Sequence, residues 1–525
     1  MRAGSQLEDA DTSSPAAFQL VGAWMHRCLH HHPSCPNSSL PTLPTRVLDV
    51  GLSDDSTTLR LREGNSERAF YTTLSYRWDQ TAAQHFQTTK SNLAAHQEQI
   101  DYSMLSQNMK DAVAITRKLG VQYLWIDALC IIQDSPEDWA AESSHMARIY
   151  KNSLLTIAAA TIPTKEHQGC FQPRTRRQIR PFNSGAPFAD GRTRYIFADR
   201  RATGDGTRPR CPLDTRAWVL QEQVLSARVL SYTATELYWD CITHSASETF
   251  PDGIPAFYEP DWLSVNLRSF KQIIFRASKE KRSRLELYSL WRSIIESYSK
   301  REMTNEADKL IAILGVAQEA SIILNDRFAA GLWAGAMSRD LLWWVKDPRA
   351  ASTPTKFEAP SWSWASVNAE VSYQLRGHDN EALLTRLVKF ERAIETTQEA
   401  SSFHVRGEIV ARGLLIPFSH LGIRDTSDSS DPWAVDQSLT RYMPDSRRFM
   451  DPTAAVCLPV SASPGFVYSL ALGVVEISAS LNASRYRRIG LVTSRASPSM
   501  FGFDNWYEVQ RDWAQDAKLK TIIII

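Results

Sequence analysis

Apolar and polar positions change period several times along this chain, and the changes mark its elements. Between Phe70 and Ala160, runs of strand length alternate with helical stretches. Phe70 to Tyr76 (FYTTLSY) is β-branched and aromatic, which predicts a strand with Thr72 to Tyr76 inside it. Leu105, Met109, Ala112, Thr116 and Leu119 recur at helical spacing, and Gly120 supplies the stop. Tyr123 to Ile132 (YLWIDALCII) is continuously apolar apart from one acid, so Leu124 to Cys130 is predicted to be a central parallel strand. Ser135, Pro136 and Asp138 give a cap, a first-turn proline and a capping-box acid. The helix they start carries Trp139, Ser143, Met146, Ile149 and Tyr150 on one face. Leu155 to Ala159, within LLTIAAA, is a third buried strand. This alternation predicts an α/β fold with a mainly parallel sheet, right-handed crossovers and flanking helices.

The flanks read differently. Residues 1–16 are polar and expected to be disordered. Residues 17–67 hold a helix, Ala17 to His30, a Pro/Ser-rich link, and an antiparallel pair from Arg46 and Thr57. The α/β domain spans 68–245 and contains an Arg- and Gly-rich stretch, 174–210, read as a surface insertion. That stretch is either a solvated loop or an anion-binding one. Within the domain, Asp214 to Leu225 is a further helix, and RVLSYT and ELYWDC form a strand pair ending at Cys241. Residues 255–525 should be helical first and then largely antiparallel β. Leu287, Leu290, Trp291, Ile294, Ile295 and Tyr298 mark one helix there, and Asp308 to Ala320 a second. The Trp-dense Pro360 to Val367 should be buried, Asp425 to Asp431 a loop, and Ile522 to Ile525 an edge strand.

Composition narrows the function classes. The 525 residues carry a formal charge of +1, which gives no electrostatic case for nucleic acid or a polybasic membrane contact. No apolar stretch is long enough to span a bilayer. Seven cysteines behind an N-terminus with no secretory pattern point to reduced thiols in the cytosol or nucleus, with a cytoplasmic location expected. Cys28, His30, His31, His32 and Cys35 invite a zinc reading, but no second ligand pair follows at finger spacing. A solvated turn without metal is therefore expected. Phosphate-loop and nucleophile-elbow patterns are both absent.

Three blocks resemble the fungal heterokaryon-incompatibility (HET) domain family: Leu74 to Asp79 (LSYRWD), Leu124 to Ala160, and Leu213 to Cys241. CLHHHPSC and RVLDVG before them, and ADKLIAILGVA and APSWSWASV after, also look like full-length members. Asp79 departs from the pattern, which usually has Gly there. The resemblance implies a signalling protein of non-self recognition and programmed cell death, working with protein partners or by self-association. A second resemblance is to TIR domains, which have a flavodoxin-like fold. Leu74-Ser-Tyr-Arg77 is similar to the end of the TIR first strand. Trp218-Val-Leu-Gln-Glu222 is similar to the TIR Trp-Cys-x-x-Glu motif, with Val219 in place of its Cys. Some TIR domains cleave NAD with that Glu, which implies NAD as a substrate here and no resident cofactor.

The residues support that chemistry on their own terms. Helical spacing puts Trp218, Gln221, Glu222 and Leu225 on one face. A carboxyl beside Trp218 on a half-buried face is desolvated, which raises its pKa. Breaking an N-glycosidic bond develops oxocarbenium charge that a carboxylate stabilises. Glu222 is the candidate catalytic residue; the other reading is an ion pair with Arg216 or Arg228. Ser75, Tyr76, Arg77 and Trp78 end the first strand and Asp134 ends the central one, so both groups should line the crevice where α/β sheets bind ligands. Arg77 either holds a phosphate or pairs with Asp79 or Asp127. Asp127, within the apolar run, reads as a cap or internal pair. Glu142 is the second candidate acid; it otherwise lies on an exposed face or pairs with Arg148. An NAD-cleaving enzyme and a non-enzymatic assembly module both remain open.

Overall fold

A computed structural model describes residues 11–36, 39–53, 59–78, 86–161, 169–172, 181–187, 193–197, 211–234, 236–254, 262–276, 284–355 and 359–373. Beyond these it describes 385–386, 389–392, 397–398, 405–417, 440–446, 455–463, 466–476, 484–495 and 518–525. The expectations for residues 1–10, for Asp79, for most of 174–210 and for Asp425 to Asp431 lie outside the described residues. The chain forms two compact units, Met1–Glu280 and Lys281–Ile525.

The first unit is built on one eight-stranded sheet. Its strands are β1 (Arg46–Asp49), β2 (Arg60–Glu63), β3 (Tyr71–Ser75), β4 (Tyr123–Trp125), β5 (Leu155–Ala159), β8 (Arg228–Tyr232), β9 (Leu237–Cys241) and β10 (Ser245–Ser247). Two further strands, β6 (Pro181–Pro187) and β7 (Thr193–Phe197), pair with each other and, among the described residues, with no other strand. The order in the sheet is β10-β9-β8-β5-β3-β4-β1-β2. The four middle strands, β8, β5, β3 and β4, run parallel. Antiparallel pairs, β9 with β10 and β1 with β2, close the two edges. The sheet is thus mixed, parallel only in its middle, and the pair expected ahead of the domain is its edge. Counted along the chain, the parallel strands lie 2-1-3-4, an order of doubly wound sheets.

The helices follow from the same patterns. They are α1 (Pro15–His31), α2 (Leu93–Glu98), α3 (Gln107–Lys118), α4 (Asp127–Cys130), α5 (Pro136–Asn152), α6 (Ala217–Leu225) and α7 (Trp262–Arg276). Ser106 and Ser135 accept the backbone N–H groups of Met109 and Asp138, capping α3 and α5. Gly120, at φ +70°, ends α3. Parts of two expectations fail here. Residues 11–16 are ordered: Thr12 exchanges hydrogen bonds with Gln172, and Pro15 starts α1. The predicted strand Leu124 to Cys130 stops at Trp125 and turns into α4. Asp127 is the first residue of that turn, where an acid suits a helix N-terminus, and its carboxylate accepts the Ala128 N–H at 2.7 Å. Burial on all sides hid that turn, because an apolar run carries no period.

In the second unit, α8 (Arg284–Tyr298) and α9 (Ile311–Leu324) precede the strands. Ile409–Pro417, Lys518–Ile524, Ser484–Arg495, Phe466–Glu476 and Val456–Ser463 pair each with the next, and the last pairs back to the first. Five strands therefore close a ring, antiparallel except where Ser484–Arg495 meets Lys518–Ile524. The C-terminal isoleucines are not on an edge, as expected from sequence, but inside this ring, with Ile522 and Ile524 fully buried. A charge-free β-branched run is what an interior strand requires. Trp362 and Trp364 are also fully buried, as expected. Their indole N–H groups donate to the carbonyls of Gly407 and Gly331.

Gly331 sits at φ +100°, and a Cβ there would lie 2.4 Å from Trp364 Nε1. Gly331→Ala should therefore destabilise this unit by more than ~1 kcal/mol, from strain and displacement of a buried ring. Thermal unfolding of the full chain measures it, and an unchanged midpoint would contradict the packing.

Candidate functional site

The chain leaves β3 for β4 on one side and later returns past β3 to β5 on the other. Doubly wound sheets gather ligands outside the carboxyl ends of their strands at such a reversal. Ser75, the last residue of β3, pairs across to Ala158 of β5. Tyr76 follows it, Asp127 follows β4, and Glu222 comes from α6. Arg216, just before α6, donates from Nη1 to the Tyr76 carbonyl at 2.6 Å. The Tyr150 hydroxyl, near the end of α5, donates to the Leu74 carbonyl at 3.2 Å. The Trp78 indole N–H donates to Asp127 Oδ2 at 3.0 Å.

Glu222 is 7% exposed. Burial pushes its carboxyl up to about 7, against the opposing pull of the Ser75 hydroxyl and the Arg216 guanidinium. The Asp127 carboxyl is also raised by burial, with Arg216 again opposing. Tyr76 and Tyr150 are held well above the ordinary phenol range, by burial first and then by these acids. Ser75 Oγ and Glu222 Oε2 are both buried and reach no hydrogen-bond partner among the described residues. Buried polar atoms are nearly always paired, so these two either close on one another, as the pull of the Ser75 hydroxyl on the carboxyl indicates, or take up a bound polar group. The set offers a carboxyl that titrates near neutrality, a second acid, three hydroxyls and one guanidinium. It can move a proton or stabilise a developing cation.

A family model described as heterokaryon incompatibility protein (HET) matches residues 71–222. Residues 71–222 are thus similar to a HET domain. No curated protein and no solved structure matches it. The HET match begins on the first residue of β3 and ends on Glu222, so it encloses the whole constellation.

The residues singled out from sequence separate into two sets. Ser75, Tyr76 and Glu222 come together, with Trp218 half-buried on the same helix as Glu222. Arg77 is exposed, and the positive charge beside Asp127 is that of Arg216. Asp134 is exposed and accepts the Lys90 backbone N–H at 2.7 Å. It does not end a strand, because the chain has already turned through α4. Glu142 is buried, contrary to an exposed face. Its Oε1 lies 3.6 Å from His145 Nδ1, and its charge acts on Arg46 and Cys130. Arg228, the other pairing partner considered for Glu222, instead donates to Cys28 Sγ, Leu154 O and Pro36 O. Arg216, weighed from sequence as a pairing partner of Glu222, does place its charge beside Glu222 and Asp127. Asp127, read as a cap or internal pair, joins the site, and Tyr150, read only as part of a helix face, does so too. An acid inside an apolar run was the available signal for Asp127.

Two other features lie away from Glu222. Clefts of about 390 and 430 Å³ open near the amino ends of β3 and β5, one lined by Tyr71 and Arg148 and the other by Leu154 and Arg228. Cys28, His32 and Cys35 meet Cys241, so the second ligand source that the sequence lacked locally arrives from β9. Among the described residues, no helix is long and apolar enough to cross a membrane.

Proposed function

We propose that this HET domain cleaves NAD at the nicotinamide–ribose bond, and that the loss of NAD kills the mixed cell. The supporting observation is Glu222, a buried carboxyl with an unsatisfied oxygen beside Ser75 at the sheet's reversal point. In this reading the ionised Glu222 faces the ribose as the glycosidic bond breaks. Nicotinamide leaves with the bonding electron pair, and the carboxylate stabilises the ribosyl cation. Water then adds to that carbon, giving ADP-ribose, and its proton passes to Asp127 or to solvent. Arg216 compensates charge between the two acids. The similarity of Trp218 to Glu222 to the TIR motif supports the same assignment. Self-association or a protein partner would control when the site acts, as the family role implies.

The test is NAD content after induced expression of the full chain, compared with Glu222→Gln at equal protein level. Wild type should deplete NAD and stop growth, and the variant should do neither. Toxicity with constant NAD in both would leave an assembly module and no enzyme.

A further inference from the structure

We infer that Cys28, His32, Cys35 and Cys241 form a structural zinc site that fastens the end of α1 to β9. The four side chains are buried, and their ligand atoms all lie within 4.8 Å of one another. Cys28 and His32 are one helical turn apart, at the last turn and cap of α1. The chain then folds back, with the Cys35 N–H donating to the His32 carbonyl at 3.0 Å. Cys241 is the last residue of β9, where its N–H donates to the His244 carbonyl across the tight turn into β10. Two separate turns therefore aim three thiols and one imidazole at a common point.

The spacing suits a metal better than a disulfide. His32 Nδ1 lies 3.5 Å from Cys241 Sγ and 3.9 Å from Cys35 Sγ. A tetrahedron with zinc–sulfur bonds of ~2.3 Å and zinc–nitrogen bonds of ~2.0 Å has nitrogen–sulfur edges of roughly 3.6 Å. A disulfide would join two of the thiols and leave the third buried alone, whereas all three are free here. The surroundings fit thiolates. Arg228, 2% exposed, donates from Nε to Cys28 Sγ at 3.2 Å, and Thr243 Oγ1 lies 3.4 Å from Cys35 Sγ. Such outer donors steady metal-bound sulfur. Three thiolates around a divalent ion leave one net negative charge, and the buried guanidinium balances it. Three sulfurs and one nitrogen in a closed tetrahedron select zinc and leave no open position for catalysis. The exposed His30 and His31 take no part.

Elemental analysis of the purified full chain, desalted over chelating resin, tests this. The expected result is about one zinc per chain, with cobalt replacing it to give the intense visible bands of a tetrahedral thiolate complex. Cys28→Ser and Cys241→Ser should lose most of the zinc. His32→Cys, which keeps four soft ligands, should retain it with an altered cobalt spectrum, and Cys457→Ala in the other unit should retain it unchanged. If the serine variants do not fold, the zinc content and cobalt spectrum of the unaltered chain still decide. Reduced chain that holds no zinc and takes up neither metal overturns the site. So does a disulfide among Cys28, Cys35 and Cys241 after rapid thiol blocking, or full zinc retention in Cys241→Ser.

Discussion

Replacing Glu222 by Gln is expected to lower NAD cleavage by ~10²–10⁴-fold while making the protein more stable at neutral pH. Both effects come from one cause. Folding moves this carboxyl from its ordinary value of 4.5 up to about 7, mainly by burial. A raised carboxyl pKa means that the folded state holds the proton more tightly than the unfolded chain. The stability penalty is absent below about 4.5, grows between 4.5 and 7, and is complete above that. Its full size is about 3 kcal/mol, which the neutral amide of Gln does not incur. In the proposed mechanism catalysis runs the other way, because the ionised carboxylate would be the working form. In the unaltered protein kcat/KM should fall about tenfold per pH unit below about 7 and level off above it. Denaturant titrations at pH 5 and pH 8 check the first part, with the gain from Glu222→Gln larger at pH 8. A profile flat from pH 5 to 8, or a variant that is active or no more stable at pH 8 than at pH 5, would remove Glu222 from the role.

The second large effect belongs to Arg488 in the C-terminal unit. This side chain is fully buried; its Nε donates to Asp445 Oδ2 at 3.0 Å and its Nη1 to the Leu341 carbonyl at 2.6 Å. Nη2 donates to the Trp343 carbonyl, and the guanidinium lies 3.5 Å over the Trp343 ring. Breaking a buried pair by removing one partner leaves an uncompensated charge, which costs ~3–5 kcal/mol. Arg488→Met and Asp445→Ala should each cost about that much. The double variant should cost less than the sum, since no lone charge remains. Trp fluorescence during denaturant unfolding of the full chain reads the loss. An Arg488→Met variant within ~1 kcal/mol of the unaltered protein would contradict the pairing.

The parts of the molecule legible from sequence share a physical basis. Tyr71–Ser75 and Leu155–Ala159 were readable because β-branched runs between capped helices leave little choice. Ser135 announced α5 through its own hydroxyl. What escaped depended on partners distant in sequence. Asp134 seemed to end a strand because the apolar run continues past Asp127 and so masks the helical turn that this residue opens. The carboxyl-terminal isoleucines read as an edge because both of their partner strands lie elsewhere in the chain. Glu222 could be singled out by its spacing from Trp218, and Arg216 by its place at the start of the same helix, but Asp127 and Tyr150 meet them only through the sheet order. Cys241 completes a four-ligand set with residues about two hundred positions away, and no local spacing rule reaches that far.

That distance also sets an order in time. The Trp24 indole N–H of α1 donates to the Pro251 carbonyl, 227 residues later, and its ring packs 6.2 Å from that of Trp239. A ribosome adding ~5–20 residues per second needs roughly 10–45 seconds to make that interval. Until then the face of α1 bearing Val21, Trp24 and Cys28 lacks part of its native cover, and a helix of this length is marginal alone in water. This helix, made well before its partner at Pro251, therefore docks late. While it waits, it is an apolar segment that a chaperone would hold.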